Sequence, residues 1–423
     1  MNKHKNPLRI YIKNLSNTLN YGTMMMGENL INQLLIRLDR QDIEYYIDTD
    51  QPVHIERLKV ATEHSLIFSD QIELKPLWTR RIRYVRYLEK RLRKTSVLRQ
   101  LASFYDAVII LGGDDYAETY YALPKDDLLI RSIFKDLCYL GKRIQVFMLG
   151  QTIGPFTGKR IRYAQKGLKE MNIYVRDHQS QLYLEQDLHV PSILSTDLAF
   201  LDLHLQYDYQ NRYQEILQNR GLDDKQYLTL VGTGLISHYM SKPDGFIEVF
   251  LALIDHLNQR FPDHKIVLLS HVSNKESTYS DNTFIDLLEK RRPGALRKQC
   301  VIISEPMLPT EARILLGHGA LTISCRMHAA VSTFQMGTPA ICLSYSKKFA
   351  GVIGENLKCP ELVIQAKGDA FWENDPVSVI MERVEYTIEH QADLMHRIAN
   401  EVRANKAVLD QTLSDLTTYF KDK

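Results

Sequence analysis

One stretch decides the fold of this chain: Thr322-Ile-Ser-Cys-Arg-Met-His-Ala-Ala-Val-Ser-Thr-Phe-Gln-Met-Gly-Thr-Pro-Ala-Ile-Cys-Leu-Ser-Tyr345. The apolar run 320–323 predicts a buried strand, and residues 329–336 predict a short helix that ends at the following Gly-Thr-Pro. Residues 340–345 predict a second buried strand. A strand, a helix and a strand in this order form a parallel crossover, whose ligands gather at the carboxyl ends of the strands.

The turn between the first strand and the helix carries Arg326 and His328. The free N–H groups of a helix start add partial positive charge, so a fixed cation and an imidazole there suit an anionic ligand. Imidazole also exchanges protons near neutral pH, which suits a reaction that needs a proton donor or acceptor. The alternative is a solvated arginine and a histidine bonded to backbone. Spacing alone favours this alternative, because such residues are common near helix starts.

The rest of the chain repeats the alternation of strands and helical patterns, which predicts an α/β protein with parallel sheets. We expect a first α/β domain over residues 1–200, a polar linker over 201–224, a second α/β domain over 225–375 and C-terminal helices over 376–423. The predicted strands, beyond the two above, are 8–12, 43–47, 66–68, 107–111, 145–149, 173–175, 192–194, 227–231, 265–270 and 300–304.

Composition excludes several classes of protein. The chain has 423 residues, of which 44% are hydrophobic and 25% charged, as in ordinary globular proteins. A net charge of +2 and the absence of a recognisable module argue against nucleic-acid binding. The five cysteines are widely spaced and show no zinc spacing, so we expect reduced thiols, no metal and a cytoplasmic location. No window reaches the ~18 apolar residues of a membrane span.

Three predicted strands end in polar sequences that we expect to line a single site. These sequences are Gly112-Gly-Asp-Asp115, Gly150-Gln-Thr-Ile-Gly-Pro155 and Arg176-Asp177. Glycine permits close backbone approach, and Asp114 or Asp115 suits a hydrogen bond from a sugar or the role of a base. The alternative for the aspartates is helix capping. Arg176 suits a carboxylate or a phosphate, and an ion pair with Asp177 explains it equally well.

Two other segments are candidates for binding. Asn20-Tyr-Gly22 precedes a helical pattern over 24–38, where backbone amides suit a phosphate or a sugar hydroxyl, although a simple turn is the favoured alternative. Residues 76–100 carry nine Lys and Arg against the single acid Glu89, with aromatic residues between them. Such a segment suits an anionic membrane surface or the diphosphate of a lipid-linked substrate. A solvated helix packed on the core is an equal alternative.

Together these sequences resemble the signature of the polysaccharide pyruvyl transferase family. Their order and spacing carry the resemblance, since no single one is specific. The glycine sequence has two glycines where three are frequent, and residues 76–100 do not align, which leaves the acceptor open. The matching residues are Asn20-Tyr-Gly22, Gly112-Gly-Asp114, Gly150–Pro155, Arg176-Asp177, Ser180, Asp197, Ser324-Cys-Arg-Met-His328, Tyr345 and Lys348.

The resemblance implies two Rossmann-like domains facing a cleft, as in glycosyltransferases of the B type. It also implies transfer of a pyruvyl group from phosphoenolpyruvate to a sugar, free or lipid-linked, as a ketal. We expect no cofactor, since the donor supplies its own leaving group. The rival hypotheses are a glycosyltransferase that uses a nucleotide sugar and a catalytically silent glycan-binding member. The sugar, its hydroxyl pair, the ketal stereochemistry and the oligomeric state stay open.

The resemblance also assigns roles to residues. His328 is the expected general acid, and Asp114 is expected to accept the hydroxyl proton. Because phosphoenolpyruvate carries a carboxylate and a phosphate, Arg176 and Arg326 are expected to bind it from the two domains. The remaining expected donor-binding residues are Ser324 and Lys348. The expected acceptor-binding residues are Asn20, Gly22, Gly113, Asp115 and Gln151, all on the N-terminal domain.

Overall fold

The computed structural model of the chain describes residues 7–40, 42–49, 51–68, 97–117, 123, 126–274 and 279–421. The chain forms two compact units. The first comprises Met1–Asn17, Leu30–Thr196 and Gln411–Lys423, and the second comprises Thr18–Asn29 and Asp197–Asp410.

The first unit is built on a seven-stranded parallel sheet in the order β3-β2-β1-β4-β5-β6-β7. Its central strand β4 (Ala107–Leu111) is buried along its whole length, as the continuous run Ala-Val-Ile-Ile-Leu predicts for a parallel strand covered on both faces. All seven strands lie within two residues of their predicted positions. The others are β1 (Leu8–Lys13), β2 (Ile43–Ile47), β3 (Ile67–Phe68), β5 (Gln145–Gln151), β6 (Asn172–Val175) and β7 (Ile193–Leu194).

Helices cover this sheet, and the core lies between strands β4–β6 and the pair α4 and α5. Phe134 and Leu137 of α4 and Leu168 of α5 are buried against Val146 and Met148 of β5. The helices are α1 (Tyr21–Leu38), shared with the second unit, α2 (Pro52–Thr62), α3 (described over 97–104), α4 (Asp126–Gly141), α5 (Lys159–Leu168) and α6 (His178–Leu182). A π-helical turn, Tyr183–Asp187, continues α6.

The second unit is built on a six-stranded parallel sheet in the order β10-β9-β8-β11-β12-β13. The predicted crossover is confirmed, since β11 pairs in parallel with β12 through Thr322 opposite Ala340. The edge strand β13 was not predicted, because three residues are too few for a periodic pattern. The strands are β8 (Tyr227–Val231), β9 (Lys265–Leu269), β10 (Cys300–Ile303), β11 (Leu321–Ser324), β12 (Ala340–Ser344) and β13 (Val363–Gln365).

The helices of the second unit alternate with its strands until the chain ends in two long helices, as expected. The helices are α7 (Gln206–Asn211), α8 (Tyr213–Gln218), α9 (Pro243–Arg260), α10 (Asp281–Arg291), α11 (Leu296–Gln299), α12 (Pro309–His318), α13 (Met327–Gln335), α14 (Lys347–Phe349), α15 (Asp369–Glu373), α16 (Pro376–Glu389) and α17 (Gln391–Lys421). Short helical turns lie at Leu198–Phe200, Ile236–His238, Ala350–Glu355 and Pro360–Leu362.

The boundaries of the units differ from the predicted segments. Residues 201–224, expected as a linker, form α7 and α8, and Ile216 and Leu217 are buried in the core of the second unit. Residues 18–29 belong to the second unit rather than the first, and the end of α17 belongs to the first. The Tyr- and Gln-rich composition of 201–224 concealed the few apolar residues that anchor it.

Of the predicted basic segment 76–100, residues 76–96 lie outside the described residues. No helix in the described part of the chain is long and apolar enough to cross a membrane.

Candidate functional site

The site of the second unit is built on the turn between β11 and α13. Ser324 at the end of β11 locks this turn, since its Oγ accepts a hydrogen bond from the N–H of Arg326 at 2.9 Å and donates to the carbonyl of Arg326 at 2.8 Å. Arg326 has extended backbone and stands immediately before the first residue of α13. Ser324 therefore shapes the turn that carries Arg326, and a donor contact by its side chain stays a prediction.

Arg326 is held by a buried carboxylate that sequence reasoning missed. Its Nε donates to Asp281 Oδ1 at 2.8 Å, and its Nη2 donates to the carbonyl of Tyr279 at 2.7 Å. Asp281 is 1% exposed, and its other oxygen accepts the backbone N–H groups of His271 and Val272. Burial raises the pKa of Asp281, and the Arg326 guanidinium opposes that rise. Arg326 is thus fixed in place, with its side chain still 15% exposed.

His328 lies one residue into α13 and is oriented by a second buried carboxylate. Its Nε2 donates to Oδ2 of Asp197 at 3.2 Å, and Asp197 is fully buried. The other oxygen of Asp197 accepts the N–H of Ala199, which caps the turn Leu198–Phe200. A buried carboxylate that accepts from one imidazole nitrogen fixes the tautomer and stabilises the imidazolium. This pair can therefore supply and recover a proton.

Gly22 lies against the imidazole of His328. A Cβ at residue 22 would stand 2.2 Å from Nδ1 of His328, closer than atoms can approach. Gly22 is in the first turn of α1, which begins at Tyr21 instead of the predicted residue 24. Residue 22 therefore has no room for a side chain, because the ring of His328 occupies that space.

The Gly22 contact leads to a prediction for Gly22→Ala. Alanine suits a helix better than glycine, by about 0.5–1 kcal/mol, so the variant is expected to fold. The new methyl group must displace His328 from Asp197, and the transfer rate proposed below should fall at least 10-fold. Turnover and thermal unfolding would be measured on parent and variant. A folded variant with the parent's turnover would contradict this role of Gly22.

Asn20 is brought to the same place by pairing between segments 19–21 and 271–273. Asn20 forms an antiparallel bridge with Val272, the N–H of Tyr21 donates to the carbonyl of His271 at 3.1 Å, and the N–H of Ser273 donates to the carbonyl of Leu19 at 2.9 Å. Asn20 and Gly22 thus belong to the unit that holds His328. Gly113, Asp115 and Gln151, with which they were grouped as acceptor residues, belong to the other unit.

His271 is another residue that sequence reasoning missed. It follows β9, is 2% exposed, and its ring packs edge-on against Tyr21 with centroids 5.3 Å apart. Its Nε2 is buried without a hydrogen-bond partner among the described residues. Burial lowers the pKa of His271 well below the usual value, and the neighbouring His328 and Arg326 lower it further. His271 is therefore a neutral imidazole beside the charged turn.

Lys348, the remaining predicted donor ligand of this unit, lies after β12. Its Nζ donates to the hydroxyl of Tyr345 at 2.6 Å and stands 4.7 Å from the centre of that ring. Tyr345 packs edge-on against Tyr239, whose hydroxyl donates to the carbonyl of Cys325 at 2.8 Å. Lys348 is thereby linked to the turn after β11 through aromatic contacts.

The polar sequences of the first unit come together at the ends of β4, β5 and β6, as predicted. The backbones of Gly112 and Gly150 touch, since a Cβ on Gly112 would stand 2.5 Å from the carbonyl oxygen of Gly150. The N–H of Thr152 donates to the carbonyl of Gly113 at 2.9 Å. Arg176 is 1% exposed, and its Nε donates to Oγ1 of Thr152 at 3.0 Å. Its contact with the donor stays a prediction.

The predicted acceptor and base residues of this unit differ in exposure. Gln151 is fully buried, and its amide donates to the carbonyls of Ile110 and Leu111 in β4. Asp115 is exposed and accepts from the side-chain amide of Asn14 at 3.1 Å. Asp114 is half-buried, and its carbonyl accepts the N–H of Ala117. Asp115 and Asp114 are thus accessible to a ligand, whereas Gln151 supports the sheet.

Two buried ionisable side chains form hydrogen bonds with the backbone that follows Asp197. Arg313 of α12 is fully buried and donates to the carbonyls of Ala199 at 2.6 Å and Leu201 at 2.8 Å. Glu28 of α1 is also fully buried and accepts the N–H of His204 at 3.1 Å. Burial raises the pKa of Glu28 to about 8, although Arg313 lowers it. The segment 199–204 after Asp197 is therefore held separately by Arg313, at Ala199 and Leu201, and by Glu28, at His204.

The Glu28 pKa makes stability depend on pH. A carboxyl whose pKa is raised on folding stabilises the protein fully below its unfolded pKa, and this contribution is lost as pH rises towards 8. The glutamine of Glu28→Gln does not titrate, so only the parent loses this contribution. The difference in unfolding free energy, variant minus parent, should therefore rise by about 2 kcal/mol between pH 6 and pH 7.5. Urea unfolding at both pH values measures this change. A constant difference would contradict the raised pKa.

Comparisons with known proteins identify the family of the chain. Residues 20–347 match the model of the family described as "Polysaccharide pyruvyl transferase". The chain is 23% identical to the amylovoran biosynthesis protein AmsJ of Erwinia amylovora over 320 residues, which are 74% of this chain and 72% of AmsJ. The matched range begins at Asn20 and ends at residue 347, so it includes Arg326 and His328 and stops one residue before Lys348.

Solved structures share the fold. A putative UDP-N-acetylglucosamine 2-epimerase from Listeria monocytogenes is similar with a TM-score of 0.58 and 11% identity, over 97% of each chain. The UDP-GlcNAc 2-epimerase of Neisseria meningitidis gives a TM-score of 0.54 and 11% identity, over 96% of this chain and 100% of that one. These likenesses show the α/β fold with two Rossmann-like units and no more. The family match extends over most of the chain, and the chain belongs to the polysaccharide pyruvyl transferase family.

Proposed function

We propose that this protein transfers a pyruvyl group from phosphoenolpyruvate to a sugar of a cell-surface polysaccharide or its lipid-linked precursor, forming a ketal. The family and the similarity to AmsJ support a role in exopolysaccharide synthesis. The observation that carries the proposal is the pair of His328 and buried Asp197 beside the anchored Arg326. The site thus combines a proton donor with a fixed positive charge, and a reaction of phosphoenolpyruvate requires both.

Donor binding is the first step. Phosphoenolpyruvate carries a carboxylate and a phosphate, and Arg326 at the start of α13 offers a fixed guanidinium beside a helix N-terminus. Asp281 and the carbonyl of Tyr279 hold the guanidinium in one orientation, so little side-chain entropy is lost when an anion binds. Lys348 after β12 is the proposed second cation of this unit.

Proton transfer is the second step. His328, as the imidazolium, gives a proton to the methylene carbon of the donor, which becomes a methyl group and leaves positive charge on the adjacent carbon. Asp197 stabilises the imidazolium before the transfer and keeps the ring oriented after it. A sugar hydroxyl forms a C–O bond to the charged carbon and gives its proton to the neutral imidazole of His328, which restores the acid.

Ketal formation completes the reaction. A second hydroxyl of the same sugar forms the other C–O bond to this carbon as the bond to the phosphate oxygen breaks. The second hydroxyl proton leaves with the phosphate, so one donor and one diol give one ketal and one inorganic phosphate. Asp114 is the proposed acceptor of the second hydroxyl proton, which it passes to the departing phosphate. No cofactor is needed in this scheme, because phosphate is itself the leaving group.

Two rival functions predict different products. A glycosyltransferase would release a nucleotide from a nucleotide sugar, and a silent glycan-binding member would release nothing. The solved epimerase structures share only the fold, so they favour neither. The site supports pyruvyl transfer, because that reaction requires an acid near the methylene carbon of phosphoenolpyruvate. The imidazole of His328 lies beside the turn that carries Arg326.

The proposed function is tested by product release. Purified protein would be incubated with phosphoenolpyruvate or with a panel of nucleotide sugars, each with free and lipid-linked glycans, while phosphate and nucleotide are assayed. We expect phosphate release that depends on the glycan and a product heavier by one pyruvyl ketal. Nucleotide release would establish the glycosyltransferase, and no release with any acceptor would favour the silent member. A cytoplasmic location and membrane contact through residues 76–100 remain predictions.

A further inference from the structure

A groove of about 350 Å³ lies on the first unit, on the outer side of helices α4 and α5. Its floor contains the ring of Phe134, which is buried, and the partly buried Tyr163 and Cys138. Its rim contains Arg131, Lys135 and Lys166, which are all exposed. The groove thus combines an apolar floor with three cations, and none of its described lining residues is a carboxylate.

The three cations of the groove are uncompensated. Arg131 stands over the ring of Tyr163, with 5.8 Å between its Cζ and the ring centre. Within the described parts of the chain, none of the three forms an ion pair, whereas other exposed cations, such as Lys242 with Glu373 at 2.9 Å, do. Unpaired cations that converge on one groove create a local positive potential, which attracts phosphate groups.

An apolar patch continues the groove along the same helix face. Leu128, Arg131 and Lys135 follow one another at spacings of three and four residues, so they lie on one face of α4. Leu128 is 73% exposed and its neighbour Leu129 is 52% exposed. Large apolar side chains next to cations are typical of surfaces that lie in the headgroup region of a bilayer, where leucines enter the acyl boundary and cations bind phosphates.

We propose that the outer face of α4 and α5 is a membrane-docking surface whose groove binds the headgroup phosphates of an anionic bilayer. Leu128 and Leu129 insert at the boundary of the acyl chains, and Arg131, Lys135 and Lys166 meet the phosphates. The charge complementarity and the exposed leucines select a bilayer over a soluble phosphate, which would use the cations only. This surface is built from residues other than 76–100, and the proposal does not depend on the proposed reaction.

The test compares two variants with equal loss of charge. Arg131→Gln/Lys135→Gln/Lys166→Gln removes the groove cations, and Lys59→Gln/Lys242→Gln/Arg260→Gln removes three exposed cations that already have carboxylate partners. Sedimentation would use vesicles of phosphatidylcholine alone and with one third phosphatidylglycerol. Each cation near an anionic surface contributes about fivefold in binding, so the groove variant should bind the anionic vesicles roughly 100-fold more weakly. The control variant should stay within about threefold of the parent.

A second pair of measurements identifies the ligand. Leu128→Ser/Leu129→Ser should also weaken vesicle binding about 10-fold or more, and it should not alter titration with glycerol phosphate. All variants retain residues 76–100, so the differences report on the groove alone. Thermal unfolding would show that each variant is folded. The proposal would be overturned if the groove and control variants bound vesicles equally, or if the parent bound both vesicle types equally. It would also be overturned if the protein bound glycerol phosphate while Leu128→Ser/Leu129→Ser left vesicle binding unchanged.

Discussion

His328→Ala is expected to abolish pyruvyl transfer while donor binding remains. Loss of a positioned general acid costs on the order of 10²–10⁴ in rate, and the proton is needed only on the way to the transition state. Alanine also leaves the buried Asp197 without its imidazole partner, so Asp197→Asn should reproduce part of the loss by releasing the ring. Turnover would be measured by phosphate release and donor affinity by calorimetry.

The control for this prediction is His256→Ala, which changes an exposed histidine of α9 whose ring forms a hydrogen bond with the carbonyl of Ala252. It should leave turnover unchanged. A His328→Ala enzyme that keeps near-normal turnover would remove His328 from the mechanism. Loss of donor binding together with turnover would instead assign His328 to binding.

Arg326→Ala is expected to lower the free energy of unfolding by about 3–5 kcal/mol. Removing one member of a buried ion pair leaves the other charge without compensation, and Asp281 is 1% exposed. The same change removes the cation that we propose as the donor ligand at this turn, so donor affinity should fall in protein that remains folded. Urea unfolding and calorimetry measure the two effects. Arg326→Lys should keep much of the stability but not the affinity, since lysine cannot form a bidentate fork.

The matched control is Arg291→Ala, which breaks the exposed ion pair with Asp244 and should change the stability little, because exposed ion pairs are screened by solvent. Adding Asp281→Asn to Arg326→Ala should recover part of the lost stability, because the unpaired buried charge is then absent. If Arg326→Ala is no more destabilising than Arg291→Ala, the ion pair with Asp281 does not hold the turn.

The parts of the fold that follow from local patterns could be predicted from the sequence. Buried parallel strands are continuous apolar runs, so both sheets except β13 were expected at nearly the observed positions. The turn with Arg326 and His328 was also predictable, because strand, polar turn and small-residue helix are adjacent in the chain. Helices α7 and α8 were missed because only a few apolar residues anchor each of them.

The partners of the site residues could not be predicted in the same way. Asp281 and Arg326 are 45 positions apart, and Asp197 and His328 are 131 positions apart. Nothing in a single sequence assigns one aspartate among many to such a long-range contact. Asn20 and Gly22 were assigned to the first domain by chain order, whereas pairing with residues 271–273 places them in the second unit. The signal available was the Ser280-Asp281 start of α10, which reads as an ordinary helix cap.

The central claim is that this site protonates the methylene carbon of phosphoenolpyruvate and joins the resulting centre to a sugar. Mass spectrometry and proton NMR of the product formed in deuterium oxide test this claim most directly. If His328 supplies a solvent-derived proton, the methyl group of the ketal should carry one deuterium, and phosphate should appear in equal amount. A pyruvylated product whose methyl group contains no deuterium, or a product that contains a new sugar and no ketal, would contradict the account.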